Sequence, residues 1–258
     1  MFIVGELING MYSQVAKAIL NKDKAFIQDL AKKQVESGSA ALDLNCGPGS
    51  KNPLEDMVWL VESVQDVTDK MLCIDSTKYE VIQKALEVAQ NETMINSANA
   101  EDEKLAKLVA LAQKHSSALI ALTMDKKGIP QNKEQRLELA VKIVGFVQEA
   151  GFDMQKLFLD PVLMPINVAQ AQLVEIIEAI KDFKVLTEPS PKTIVGLSNI
   201  SQGAKTRSII NRTFAVMGLS SGLDAAILDP LDKQLIDAVK AAELVLNKNI
   251  YCDSFLGA

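Results

Sequence analysis

Eight short apolar runs, each followed by a segment of helical periodicity, constrain the fold of this 258-residue chain more than any other feature. The runs are rich in Ile, Leu, Val and Ala, as expected for strands that are buried on both faces. They span residues 2–8, 41–45, 71–75, 93–96, 118–123, 157–160, 193–197 and 225–229. Eight strand–helix units in a chain of this length are typical of a (β/α)8 TIM barrel, so we predict this α/β fold. A doubly wound open sheet is the alternative.

The segments between the runs have the start signals and apolar faces of amphipathic helices. Asp23 and Asn132 stand where helix N-caps are expected, and Gly38 and Gly151 follow the predicted ends of the same two helices. No Pro-rich or Gly-rich linker divides the chain, so we predict one domain over residues 1–258. The expected inner faces are Phe26, Ile27, Leu30 and Ala31; Leu137, Ala140, Val141 and Val144; and Leu235, Ile236, Val239, Ala242 and Leu246.

Composition excludes several functional classes. A net charge of −6 argues against a nucleic-acid partner, which usually requires a basic face, and no apolar run is long enough to cross a membrane. Three scattered cysteines, Cys46, Cys73 and Cys252, favour a reducing compartment, so we predict a cytoplasmic protein. The single histidine, His115, lies near a predicted helix end, which excludes a multi-histidine metal site and a Ser-His-Asp relay. We therefore predict no resident metal.

Polar side chains end most of the predicted strands. In a barrel, the carboxyl ends of all strands meet on one face, where ligands bind. Any one of these residues could be a helix cap, and Asp229, which precedes Pro230, is better interpreted in that way. The strand-end residues are Asp43, Asn45, Asp75, Asn96, Asp160, Ser198, Asn199 and Asp229.

This set consists of carboxylates and amides with little positive charge. It suits a neutral ligand that presents N–H donors beside a carbonyl acceptor, since carboxylates accept hydrogen bonds and an amide both donates and accepts. The amino-oxo-pyrimidine edge of a pterin ring has this pattern. Lys184, Lys205 and Arg207 are candidates to meet an anionic tail.

Longer strings surround these positions, at residues 94–100, 160–165, 167–170, 196–199, 210–214, 222–226 and 251–255. Together they resemble the methyltetrahydrofolate–corrinoid protein methyltransferases over essentially the whole chain. The resemblance implies a pterin-binding barrel, usually a homodimer, that moves a methyl group between N5 of tetrahydrofolate and the cobalt of a separate corrinoid protein.

The resemblance also assigns roles to individual positions. Asp75, Asn96 and Asp160 would hold the pterin, Asn199 would be a movable residue that bonds N5, and Gly196, Ser198, Gln202 and Arg207 would line the site. With no histidine placed to act as an acid, Asn199 would supply a directed donor and Asp75 would order the water that brings the proton. The chain departs from the family at Leu7, where an arginine is expected, so contacts of that arginine are not carried over.

Other readings remain open from the sequence. The chain lacks the Asp-x-His-x-x-Gly string of corrinoid-binding domains, so the cobalamin is expected on a partner protein. A dihydropteroate synthase would need a basic end to the eighth strand, and this chain has Ala225-Ala-Ile-Leu-Asp229 there. A folate-binding component without turnover is the alternative outside the enzymes. The direction of transfer, toward acetyl-CoA synthesis or away from an O-demethylase, is left open because catalysis lowers both barriers.

Overall fold

A computed structural model describes residues 1–252, and it forms a closed barrel of eight parallel strands in the order β1 to β8. Pairing of β8 with β1 closes the sheet, with Phe2 opposite Ala225 and Gly5 opposite Leu228. The predicted (β/α)8 TIM barrel is therefore confirmed and the open sheet is excluded. The strands are β1 Phe2–Gly5, β2 Ala41–Leu44, β3 Met71–Asp75, β4 Thr93–Asn99, β5 Ala118–Leu122, β6 Leu157–Asp160, β7 Lys192–Gly196 and β8 Ala225–Leu228.

Helices follow the strands and surround the barrel. Within residues 1–252 they are α1 Ser13–Asn21, α2 Lys24–Glu36, α3 Pro53–Gln65, α4 Tyr79–Val88, α5 Asp102–Lys114, α6 Lys133–Glu149, α7 Ile166–Ala169, α8 Gln172–Phe183, α9 Arg207–Ser220 and α10 Lys233–Val245. Two 3-10 helices lie at Met154–Lys156 and Leu197–Ser201. None of the helices in this part of the chain combines the length and apolarity that a membrane span requires.

Alternation along each strand separates two layers of core. One set of side chains fills the barrel, including Val4, Met94, Ile120 and Phe158. Their neighbours along the strands point outward and pack under the helices. Because both faces are covered, the strand sequences are almost continuously apolar.

The predicted helix starts are confirmed by their hydrogen bonds. The carboxylate of Asp23 accepts from the backbone N–H of Phe26 at 3.1 Å, and the Asn132 side chain accepts from that of Gln135 at 2.9 Å. The prediction of Val141 as an inner-face residue was wrong, since it is 53% exposed. The buried face of α6 includes Arg136 instead, together with Ala140, Ile143, Val144 and Val147.

Because the strands are parallel, their carboxyl ends share one face, called here the barrel mouth. It comprises the loops at residues 6–12, 45–52, 76–78, 100–101, 123–132, 161–165, 197–206 and 229–232. The opposite end, the barrel base, comprises residues 37–40, 66–70, 89–92, 115–117, 150–156, 184–191 and 221–224. Of the string at 251–255, residues 253–255 lie outside the described residues, so the single-domain boundary at 258 stays a prediction.

Candidate functional site

Four polar side chains from β2, β3 and β4 meet at the mouth as two bonded pairs. The Asn45 side chain donates to Oδ2 of Asp75 at 2.6 Å. Asn96 donates from Nδ2 to Oδ1 of Asp43 at 3.1 Å. Asp75 and Asn96 lie opposite each other in the register of β3 and β4. Two of the three residues predicted to hold a pterin, Asp75 and Asn96, are therefore side by side.

The two carboxyls of this cluster favour holding a proton. Burial raises the pKa of Asp43 well above its usual range, and the nearby Asp75 charge raises it further. Burial also raises the pKa of Asp75, while the hydrogen bond from Asn45 opposes that rise. Asp43 is only 3% exposed, whereas Asp75 lies closer to the opening. Burial therefore favours the protonated form most strongly at Asp43, while Asp75 is the more accessible acceptor of the two.

Asp160 ends β6 on the far side of the mouth. Its Oδ1 accepts from the N–H of Val162 at 2.7 Å, and its carbonyl accepts from the N–H and hydroxyl of Thr123 at 2.9 and 3.1 Å. The side chain is 8% exposed, and burial raises its pKa to about 7. One carboxyl oxygen is thus fixed by the protein while the second remains for a ligand.

A loop of small residues follows β7. Gly196 ends the strand, and a Cβ at this position would come within 2.9 Å of the Asn199 side-chain nitrogen. Glycine here gives the Asn199 amide its space. Asn199 is exposed, and within residues 1–252 its amide makes no hydrogen bond.

Gln202 lies farther out on the same loop and Arg207 is the first residue of α9, and both are exposed. The Arg207 guanidinium donates to the Ser201 hydroxyl and to the Ser198 carbonyl, both at 3.1 Å. These bonds hold the 3-10 turn in shape and keep a positive charge at the edge of the mouth. The five loop residues predicted for the site are therefore brought together.

Glu6, on the loop after β1, is a site residue that the sequence prediction missed. It accepts a hydrogen bond from the Ser198 hydroxyl at 2.6 Å. Burial raises its pKa to about 7, although the bonds from Ser198 and Tyr12 oppose this. The same enclosure raises the pKa of Tyr12 to about 12, with the Glu6 charge as a smaller cause. Glu6 follows β1 as Asp75 ends β3, but the predicted first strand extended to residue 8 and so placed Glu6 inside it.

Two loops of the mouth cross in direct backbone contact. A Cβ on Gly10 would overlap the Cys46 carbonyl, and one on Gly47, which has a φ of 74°, would lie 2.5 Å from the Gly10 carbonyl carbon. The N–H of Gly10 donates to the Asn45 carbonyl at 2.8 Å, and the N–H of Gly47 donates to the Asn45 side chain at 2.6 Å. The crossing thereby orients Asn45 toward Asp75.

Two predictions from the sequence were wrong. Lys184 lies at the barrel base, where its ammonium donates to Asp224 at 2.7 Å and to the Pro191 carbonyl at 3.1 Å, so it cannot reach the mouth. It follows α8, which runs back toward the amino ends of the strands.

Asp229 does not cap a helix. Its carboxylate accepts from the N–H of Leu231, while Asp232 caps α10 through the N–H of Leu235.

The mouth therefore offers acceptors at the ends of β3 and β6, and the amide of Asn199, on the loop after β7, makes no hydrogen bond with the described residues. Carboxylates at Asp75 and Asp160 suit a ring edge that is rich in N–H groups, and Asn96 supplies an amide beside them. The neighbouring Glu6 carboxyl and the Arg207 charge extend the polar surface toward the rim.

Comparisons with known proteins agree with this chemistry. The model of the pterin binding enzymes matches residues 5–229. The methylcorrinoid:tetrahydrofolate methyltransferase of Eubacterium limosum is 29% identical over 257 residues, which cover 99% of this chain and 94% of that protein. The methionine synthase of Mycobacterium leprae is 30% identical over 241 residues, which cover 88% of this chain but only 20% of that longer protein.

Solved structures share the fold at lower identity. A Yersinia pestis dihydropteroate synthase in complex with a sulfonamide drug has a TM-score of 0.71 at 17% identity, covering 96% of this chain and 94% of that one. The Xanthomonas albilineans dihydropteroate synthase in complex with 7,8-dihydropteroate has a TM-score of 0.69 at 16% identity, with coverages of 95% and 92%. The expected resemblance to the methyltetrahydrofolate–corrinoid methyltransferases is confirmed, and the chain belongs to the family of pterin binding enzymes.

Proposed function

We propose that this protein transfers a methyl group between N5 of (methyl)tetrahydrofolate and the cobalt of a corrinoid carried by a separate protein. The observation that carries the proposal is that Asp75, Asn96 and Asp160 end strands at one mouth, where the exposed Asn199 amide makes no hydrogen bond with residues 1–252. The similarity to the Eubacterium limosum enzyme, over almost the full length of both chains, supports the same activity.

Recognition of the pterin rests on the strand-end acceptors. Asp160 would take two ring N–H groups through the oxygen that the Val162 N–H leaves free, and Asp75 and Asn96 would bind the opposite part of the ring. Each charge-assisted hydrogen bond contributes about 1.5–3 kcal/mol. Two or three of them therefore dominate the affinity for the ring. Gln202 and Arg207 lie where an anionic tail would leave the mouth.

The chemistry centres on N5. A tertiary amine transfers its methyl group poorly because the departing group would be an anion, and a hydrogen bond or proton at N5 makes that group neutral. Asn199 is the donor that is free to turn toward N5, while Asp75 is placed to order the water that delivers the proton. Such donors stabilise charge that develops in the transition state, so they affect the rate more than the binding.

The methyl acceptor has to approach from outside. The corrinoid is proposed to be held by a partner protein that docks on the mouth, since all strand carboxyl ends open on that face. The cytoplasmic location inferred from the cysteines stays a prediction.

A purified-enzyme assay tests the proposal. The protein is mixed with 5-methyltetrahydrofolate and reduced cobalamin, or with methylcobalamin and tetrahydrofolate, and the cobalamin spectrum is followed in both directions. Transfer in either direction supports the methyltransferase. Folate binding without any transfer would favour the non-catalytic component, and condensation of a pterin pyrophosphate with p-aminobenzoate would favour dihydropteroate synthase.

We further propose that two copies of this chain associate through the outer face of α8 and α9. Val174, Ile209 and Met217 are 60%, 59% and 46% exposed there and flank an apolar groove lined by Ile177 and Phe214. A two-fold axis across the groove would cover the same residues on both copies. Sedimentation analysis of Ile209→Lys beside the unsubstituted protein tests this, and an unchanged dimer would place the interface elsewhere.

A further inference from the structure

Arg136, on α6, is a cation buried among neutral acceptors. Its exposed fraction is 0%, and the guanidinium donates to the Pro161 carbonyl at 2.9 Å, the Asn132 carbonyl at 3.1 Å and the Gln172 side chain at 3.0 Å. Within the described part of the chain it forms no ion pair with a carboxylate. Burial lowers its pKa while the charge of Glu175 opposes that shift, and a guanidinium remains charged in proteins. A buried charge is costly unless it is hydrogen-bonded, so these three bonds stabilise the guanidinium in its place.

The Pro161 carbonyl belongs to the peptide unit that also bears the N–H of Val162. A peptide unit is planar, with its carbonyl and N–H pointing in opposite directions. Arg136 binds this unit from one side, and the N–H on the other side donates to Oδ1 of Asp160 at 2.7 Å. The two bonds are therefore coupled, since turning the peptide to break one also breaks the other. A charged donor on the carbonyl also polarises the N–H toward Asp160.

The backbone conformation at Val162 is unfavourable and needs hydrogen bonds to stabilise it. Val162 has a φ of 63°, in the left-handed region that a β-branched residue rarely adopts. Without a partner for the Pro161 carbonyl, the turn would relax toward an ordinary extended conformation and the N–H would leave Asp160. Thr123 fixes the Asp160 carbonyl but does not touch its side chain.

We infer that Arg136 is a positioning residue that orients the Asp160 carboxylate through the peptide between Pro161 and Val162. The bond to Oδ1 fixes the rotation of the carboxyl group, so Oδ2 is directed into the mouth. This inference rests on the proposed function for its ligand, because Asp160 is the proposed acceptor of the pterin N–H groups.

A simpler role has to be separated from this one. Arg136 also joins α6 to α8 through Gln172, so its loss could weaken the fold without any specific effect on Asp160. A double-mutant cycle distinguishes the two roles, since residues that act through each other are not additive. Lys133 on the same helix provides a matched control. Its substitution also removes a cation, but that cation pairs with Glu178 and Asp182 and makes no hydrogen bond or ion pair with residues 160–162.

The experiment measures the 5-methyltetrahydrofolate Kd of Arg136→Met and Lys133→Met, each in the unsubstituted protein and in Asp160→Ala. We expect Arg136→Met to weaken binding by about tenfold with Asp160 present and by less than about twofold in Asp160→Ala. Lys133→Met should leave the Kd unchanged in both. Equal losses from Arg136→Met in the two backgrounds would overturn the inference.

A second variant covers the case in which Arg136→Met does not fold. Arg136→Lys keeps the charge but cannot hold the three acceptors together. Its ligand-free crystal structure should show Val162 out of the left-handed region and Asp160 turned from the Val162 N–H, and an unmoved Asp160 would overturn the inference. If the unsubstituted protein bound no folate, the proposed function would be wrong. The comparison of the two ligand-free structures would still test whether Arg136 orients Asp160.

Discussion

Asn199 is a site residue whose side chain is not held by the described part of the protein. Its amide is exposed, makes no hydrogen bond within residues 1–252, and has room to turn because residue 196 is glycine. By contrast, Asp75, Asn96 and Asp160 are each held by a protein hydrogen bond. A fixed side chain is suited to recognising a ring, and a free one is suited to following a change at N5.

We therefore expect Asn199→Ala to slow methyl transfer far more than it weakens folate binding. Loss of one preorganised donor costs about 10²–10³ in rate. Single-turnover transfer between 5-methyltetrahydrofolate and reduced cobalamin gives the rate, and a folate titration gives the affinity. Equal losses in rate and affinity would make Asn199 a binding residue.

The acid–base state of Asp160 predicts how folate affinity varies with pH. Only the ionised carboxylate can accept two ring N–H bonds, and burial raises its pKa to about 7 in the free protein. Binding should therefore be tightest above pH 7 and weaken by up to about tenfold per pH unit below it. The Kd of 5-methyltetrahydrofolate measured from pH 5.5 to 8.5 checks this.

Glu6 titrates in the same range, so control variants are needed. Asp160→Asn should bind folate weakly with little pH dependence, whereas Glu6→Gln should keep the dependence due to Asp160. A pH profile that persists in Asp160→Asn and disappears in Glu6→Gln would assign the titration to Glu6.

Among the structural elements, the crossing of the loops after β1 and β2 links backbone packing to Asp75. We predict that Gly10→Ala destabilises the protein by about 1–3 kcal/mol, because the new methyl group overlaps the Cys46 carbonyl. It should also weaken folate binding, since the loops have to separate and Asn45 moves with them.

Gly49→Ala is the matched control. Gly49 lies in the same region with open space around its Cβ position and an ordinary φ, so alanine should be tolerated there. Denaturant unfolding and folate titration of both variants provide the comparison. Normal stability in Gly10→Ala would show that the two loops separate without cost.

The strands could be predicted because buried parallel strands are apolar along their length and end in polar residues. The predicted bounds of β3 and β6 match the structure, since Asp75 and Asp160 mark both ends clearly. The first strand was predicted three residues too long, because Leu7 and Ile8 are apolar while pairing in β1 stops at Gly5. Strand β4 was predicted to end at Asn96 but continues to Asn99, because its pairing with β5 resumes after a shift of register between Asn96 and Ala98. This pairing is a tertiary contact, so the sequence of β4 alone does not indicate it.

The parts of the site that were missed or misplaced depend on tertiary geometry. Lys184 was placed at the mouth although it follows a helix, and the side of the barrel it reaches is set by the return path of α8. The inner position of Arg136 contradicts the usual exposure of arginine, and it depends on acceptors at Asn132, Pro161 and Gln172 that only the folded chain brings together. The partnership of Glu6 with Ser198 joins residues 192 positions apart, which no spacing rule reveals.

At the scale of the whole molecule, the site contains several carboxyl groups whose pKa is higher in the folded protein than in the unfolded chain. Burial raises the pKa of Glu6 and Asp160 to about 7 and that of Asp43 well above its usual range. A raised pKa gives stability that is fully present below about pH 4 and is lost as the pH rises through 7. For Asp160 alone this loss amounts to about 4 kcal/mol.

We therefore predict that the ligand-free protein is more stable at pH 5 than at pH 8, and that Asp160→Asn reduces the difference. The free energy of unfolding, measured in urea at both pH values, checks this prediction. Substitution of the exposed Glu36 by Gln is the control and should leave the pH dependence unchanged. Equal stability of the unsubstituted protein at both values would contradict a network of protonated carboxyls.

The one-sided opening of the barrel also decides how the molecule can be attached to a sensor surface. Glu36 is exposed at the base and Lys126 is exposed at the mouth, on the loop after β5. A linker joined at residue 36 would turn the mouth toward the solution, where even a partner as large as another protein has access. The same linker at residue 126 would admit a free folate but obstruct a bulky protein, so the two orientations offer a direct means of separating small-molecule entry from protein docking.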